Sequence, residues 1–266
     1  MAAVNDHQVL QNNLLRSPDI ADGSYRVLTK EGFVSASLAY NSAIDEAPTD
    51  TLIFVHQDVY LPSHWFAKVA AAIRKLDDAN VRWGVLGSFG SRRGAAGGLG
   101  RVYTTGLGLH GTPISEPVPV ETLDEIVLII RKSSGLRFDK KLPHFHLYGA
   151  DICLNATDSG LVNFAIPAHC VHNTNQLIEL PPEFFTGYHF IKRKWKKFLP
   201  IYASCMTISR FDKELRERQL RQSLARLRRP LKSPLPRVDD PRPLVAVESD
   251  TESKSVGHGV GIAGVQ

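Results

Sequence analysis

The sequence predicts an α/β protein, with helices laid against a mixed, mostly parallel central sheet. Two observations carry this. Across roughly the first 170 residues, apolar runs of four or five residues alternate with longer stretches whose apolar positions recur at helical spacing. The 266 residues are 43% hydrophobic and 22% charged, ordinary for a globular chain with a substantial core. Some classes are excluded. No stretch approaches the roughly 18 consecutive apolar residues of a membrane span. Three cysteines, Cys153, Cys170 and Cys205, are too few and too scattered for a disulfide framework or a CxxC metal site. The opening MAAVNDHQVLQNN lacks the basic start and apolar stretch of a signal peptide, so a cytoplasmic setting is expected.

The elements follow in order. Tyr25–Leu28 reads as a strand, residues 33–47 (FVSASLAYNSAIDEA) as a helix, and Leu52–Val55 as a buried strand. The segment after Pro62 places apolar residues at 65, 66, 69, 70, 73 and 76, an amphipathic helix with Ser63 as the expected cap. Trp83–Leu86 and Ile126–Ile130 read as strands, residues 149–159 as a helix stopped near Gly160, and Leu161–Ile166 as a strand. Between them Gly87 to Gly111 is glycine-rich, contains Arg92 and Arg93, matches no phosphate-binding fingerprint, and reads as a surface loop or a lid.

The net charge of +5 is local. Residues 191–230 hold 13 Lys and Arg against 3 Asp and Glu, while residues 1–190 hold 15 against 19. A nucleic-acid binder more often spreads positive charge over a domain face, so no nucleic acid is expected. The division expected is a domain over 1–205, a basic helical extension over 206–230, and a proline-rich disordered tail over 231–266.

Three constellations could carry chemistry. LIFVHQDVYLP (52–62) runs a buried strand into His56, Gln57 and Asp58; ligands collect at the carboxyl ends of such strands, and an acid there can hold Mg2+ or Mn2+ against a phosphate. HFHLYGADICLNATDSG (144–160) places Asp151 at a helix start, where the helix terminus favours its ionised form and a proton-accepting role. IPAHCVHNTN (166–175) offers His169 and His172, and a zinc site built with His144 and His146 is conceivable although the spacing fits no standard signature.

Taken together, VNDHQVLQNNLLRSP, GFVSASLAYNSAID, FVHQDVYLP, TLDEIVLII, FHLYGADICLNA and the final VH resemble glycosyltransferase family 2 proteins of the GT-A fold, in the branch related to the streptomycin-biosynthesis protein StrF, over about residues 4–205. The resemblance implies a metal-dependent, inverting transfer of a sugar from a nucleotide-diphospho-sugar to a hydroxyl acceptor. It implies Asp151 as the general base, Asp58 and His172 as metal ligands, and Asn41, Gln57 and Asp58 near the nucleotide. Trp65, His146 and Tyr148 are placed to touch the acceptor, though Trp65 also fits the apolar stripe of its helix. Two positions depart from the family pattern: His56 stands for the first acid of the DxD motif, and Ala150 for the Glu before Asp151. A non-catalytic nucleotide- or glycan-binding relative is the first alternative, and a metal-dependent hydrolase on the histidines the second. The cations around Trp195 and Phe198 suit a peripheral contact with the inner face of a membrane through 191–229, and with it a lipid-linked acceptor; a glycan or small-molecule acceptor fits equally.

Overall fold

The apolar runs become one five-stranded sheet in the computed structural model, which describes residues 1–94, 97–175, 180–228 and 237–245. Across the sheet the order is Val118–Val120, Val162–Ala165, Trp83–Gly87, Val127–Arg131, Thr51–Val55. Only Val162–Ala165 and Trp83–Gly87 pair in parallel; the other neighbours pair antiparallel. The mostly parallel sheet expected above is thus corrected. Thr51–Val55, Trp83–Gly87 and Val162–Ala165 do share one direction, as strands following crossover helices should. The strand Val127–Arg131 has no helix before it, and it inserts reversed between two of them.

Both faces of the sheet are covered, so its central strands are apolar on both sides rather than alternating. Leu52, Phe54, Leu128 and Ile130 face a core shared with helices Ala36–Glu46, Tyr148–Asp158 and Pro182–Lys194. Val55, Val127 and Ile129 face a second core with helix Trp65–Asp78. That helix buries Trp65, Val69, Ala72 and Leu76 and is entered through His64 at φ 62°, with no side-chain cap, so Ser63 does not cap it. The strand expected over Tyr25–Leu28 lies slightly later, at Thr29–Glu31, paired in parallel with Ala2–Val4.

The glycine-rich stretch is not a plain loop. It contributes Phe89–Ser91, Leu99–Gly100, Val102–Thr104 and Gly108–His110 to two small sheets. Gly100 has φ 86°, and a Cβ there would meet the Ser88 carbonyl oxygen at 2.1 Å, so the close strand crossing requires glycine. One of these small sheets, in the order Val59–Tyr60, Cys170–His172, Val102–Thr104, Gly108–His110, lies beyond the carboxyl end of Thr51–Val55.

The basic region is helical over Lys213–Arg228. Of the cations around Trp195, Lys192 pairs with Asp212, Lys194 with Asp139 and Asp151, and Lys197 with Asp158. Much of that charge is therefore neutralised within the chain. Among the described residues no helix is long and apolar enough to cross a membrane. Within the segment expected to be a disordered tail, residues 237–245 pack on the body and form a short helical turn at Arg242–Val245; the rest of that segment, apart from these, lies outside the described residues.

Candidate metal centre

Strand Thr51–Val55 ends in a tight turn closed by the Val59 N–H donating to the His56 carbonyl (3.2 Å), which brings His56 and Asp58 to the same side. Val59 then pairs with His172 across an antiparallel ladder, and on the next rung the Asn173 N–H donates to the Asp58 carbonyl (2.9 Å), which holds Asp58 within reach of His172 at the ladder's end. The result is a cluster, His56, Asp58 and His172, whose ligand atoms lie within 4.8 Å of one another and could hold a metal ion. Asp58 Oδ1 is 3.5 Å from His172 Nε2 and 4.0 Å from His56 Nδ1.

The protonation pattern follows from the neighbours. Tyr148 Oη lies 2.7 Å from His56 Nε2 and 3.2 Å from the Glu125 carbonyl, a hydrogen-bonded chain that fixes the orientation of the His56 ring. With Nε2 so engaged, His56 Nδ1 is the nitrogen turned toward Asp58, as in sites where an outer partner orients a ligand ring. Burial lowers the His56 pKa and keeps the ring neutral. Burial would also lower that of His172, but Asp58 outweighs it and raises it. Asp58, although buried, is held well below the usual carboxylate range by His172 first, then His56 and Arg237.

The cluster borders an open cleft of about 1120 Å³. Its other walls include Asp124, Glu125, Phe89 and Arg92, with Phe184 and Arg218 from the C-terminal helices. Glu125 is the carboxyl here that sequence reasoning passed over. One of its oxygens accepts the Leu147 N–H (3.0 Å), holding Leu147 at φ 64° ahead of helix Tyr148–Asp158. Gly149 permits this approach, since a Cβ there would meet the Leu123 carbonyl at 2.7 Å. Burial and the adjacent Asp124 push Glu125 up to about 8. The signal that could have found it is a pair of acids, Asp124-Glu125, set directly before the wholly apolar run 126–130.

Other expected site residues fall elsewhere. Asp151 is 1% exposed and is not part of the cleft wall. It accepts from Lys194 Nζ (2.8 Å) and Trp195 Nε1 (2.7 Å), and burial raises its pKa against those partners. The partly exposed base expected at the helix start is corrected: Lys194 and Trp195, at the end of helix Pro182–Lys194, cover it. Asn41 is buried and spans the Phe138 backbone, accepting from its N–H (3.1 Å) and donating to its carbonyl (2.8 Å), so it holds the core and not a nucleotide. Gln57 turns away and accepts from the Asn5 and Asp6 N–H groups. Trp65 is core, its Nε1 donating to the Ala168 carbonyl (3.0 Å). Tyr148 is buried and acts on the cluster through His56. His146 does line the cleft, against Phe184. The four-histidine zinc site is not formed: His172 joins His56 and Asp58 instead.

No family model matches the chain. Over 129 residues it is 32% identical to a protein of Fuscovulum blasticum described as "ATP synthase subunits region ORF 6". That alignment covers 46% of this chain and 50% of the other, so the chain spans about half the length of the curated relative it matches. The description names no activity.

Proposed function

We propose that the cleft is the site of metal-dependent transfer of a sugar from a nucleotide-diphospho-sugar to a hydroxyl acceptor, on a fold of the GT-A type. The observation that supports this best is the placement of His56, Asp58 and His172 after the carboxyl end of strand Thr51–Val55, on the wall of an open cleft. A divalent metal, Mn2+ or Mg2+, would supply charge neutralisation for a leaving diphosphate. His56 Nδ1, Asp58 Oδ1 and His172 Nε2 are the atoms that would hold it, and Tyr148 orients His56 from behind. Glu125 takes the proton-accepting role in place of the enclosed Asp151. Its carboxyl lies on the cleft wall and its pKa, raised to about 8, suits proton exchange near neutral pH. His146, Phe184 and Phe145 give the cleft lining an aromatic surface on which an acceptor sugar can rest.

A second reading has one observation in its favour. Two imidazoles and one carboxylate form a set that zinc takes in hydrolytic centres, whereas Mg2+ favours oxygen ligands. The test is a melting-temperature panel of UDP-, GDP-, CDP- and dTDP-sugars with Mn2+, Mg2+, Zn2+ or no metal. A ligand that binds only the native state raises the melting temperature. A shift with one nucleotide-sugar, present only with metal and lost in Asp58→Asn, supports transfer. A zinc shift with no nucleotide-sugar effect supports the hydrolase reading. A nucleotide-sugar shift without turnover means a binding protein on the same site.

A further inference from the structure

Residues 237–239 run across the metal cluster and are tied to the segments that build it. Arg237 NH2 lies 3.3 Å from Asp58 Oδ2, and its Nε donates to the Asn173 carbonyl (3.1 Å). Asn173, wholly buried and next to His172, accepts the Val238 N–H (2.9 Å) and donates to the Val238 carbonyl (2.8 Å). The Arg237 N–H reaches Asn175 Oδ1 (3.0 Å), and Arg16 donates to the Asp239 carbonyl (3.1 Å). Asp58 thus divides its oxygens: Oδ1 faces the two histidines and Oδ2 faces Arg237.

We propose that this segment is a clasp that competes with metal: a divalent cation arriving at His56, Asp58 and His172 displaces Arg237 from Asp58 and loosens residues 237–239. The inference rests on the metal centre proposed above. The argument is one of charge. In the metal-free site the Asp58 carboxylate is shared between the Arg237 guanidinium and the two imidazoles. A divalent cation at the cluster brings two positive charges to the same carboxylate. The guanidinium, two bonds away across that carboxylate, is repelled at short range in a partly desolvated place. The Asn173–Val238 hydrogen bonds are neutral, so the metal does not break them directly; once Arg237, whose side chain is already 27% exposed, has swung out, they hold the segment with less support and open more often. By reciprocity, whatever the metal does to the clasp the clasp does to metal affinity.

The experiment is a calorimetric titration of Mn2+ into the full chain, with Arg237→Gln, Arg237→Lys and Asp58→Asn alongside, each checked for an unchanged melting profile. Arg237→Gln should bind Mn2+ at least tenfold more tightly than the parent, and Arg237→Lys, which keeps the charge, should stay within a few-fold of it. Hydrogen exchange at the Val238 amide should speed up on adding Mn2+ to the parent and not change in Arg237→Gln. Equal or weaker Mn2+ binding by Arg237→Gln overturns the competition and makes Arg237 a support for the Asp58 carboxylate. Absence of Mn2+ binding in both the parent and Arg237→Gln removes the metal centre itself, and the clasp with it. Binding that survives Asp58→Asn does the same, whereas binding lost in Asp58→Asn but indifferent to Arg237 removes the clasp alone.

Discussion

Replacing Glu125 by glutamine should make the protein more stable at pH 8 and leave it unchanged at pH 4.5. Burial and Asp124 raise this carboxyl from 4.5 to about 8, against the pull of the Leu147 and Gly149 N–H groups. Below pH 4.5 both the folded and unfolded chains hold the proton, and the group has no effect. Between 4.5 and 8 the unfolded chain releases it while the native state keeps it, so stability falls as pH rises. Each pH unit is worth about 1.4 kcal/mol, which sets a ceiling of about 5 kcal/mol, complete above pH 8. Glu125 faces an open cleft, and solvent screening there reduces the expected loss to about 2–3 kcal/mol. A glutamine cannot titrate, yet its amide oxygen can still accept the Leu147 N–H. The assay is urea unfolding of parent and variant from pH 4.5 to 9, in chelator, with equal m-values as the control. The free-energy gap should open from zero to that size, in the variant's favour. A gap that does not change with pH, or a variant less stable at pH 8, refutes the reasoning. The second result would mean that the start of helix Tyr148–Asp158 stabilises an ionised Glu125 more than its burial penalises it.

Other outcomes follow from the same contacts. Lys194→Met should cost about 3 kcal/mol in chemical denaturation, because it leaves Asp151 buried without its countercharge; adding Asp151→Asn should recover part of that, and a loss under 1 kcal/mol would show the pair to be open to water. Metal affinity should rise with pH through the raised pKa of His172 and then level, since burial keeps His56 neutral; calorimetry in two buffers should find no more than one proton released per metal, and two would mean that His56 is charged. Tyr148→Phe should weaken metal binding roughly tenfold with little change in melting temperature, and an unchanged affinity would show that the phenol does not hold the His56 ring for the metal.

Much of the architecture is local in origin and was therefore legible. Residues 33–47, 52–55, 83–86, 126–130 and 149–159 carry their own period, and the corresponding elements lie within a few residues of them. What no local pattern reports is strand direction. Val127–Arg131 looks like its neighbours as a string of apolar residues, yet it runs the other way because no crossover precedes it. The two small sheets drawn from Gly87 to Gly111 escaped for a different reason. Their strands are two or three residues long, and their glycines are present for close crossing, as at Gly100, and not for looseness.

The site divides along the same line. Asp58 and His172 could be singled out because each follows a strand, but the ladder that joins them, Val59 with His172, is a long-range fact. Asp151 misled because a helix start does favour an ionised acid locally. The residues that enclose it, Lys194 and Trp195, lie more than forty positions later and leave no mark near it. His56 misled in the opposite sense. Measured against a motif that wants an acid, it counts as a lost contact, whereas in the folded chain it turns its Nδ1 toward the cluster. That exchange has a consequence for the ligand. Two neutral imidazoles and one carboxylate leave a bound divalent cation with a net charge of about +1, where two carboxylates would leave none. A centre of that kind gains more from an anionic partner such as a diphosphate, and in its absence has reason to keep a positive side chain such as Arg237 at a carboxylate that no metal has yet claimed.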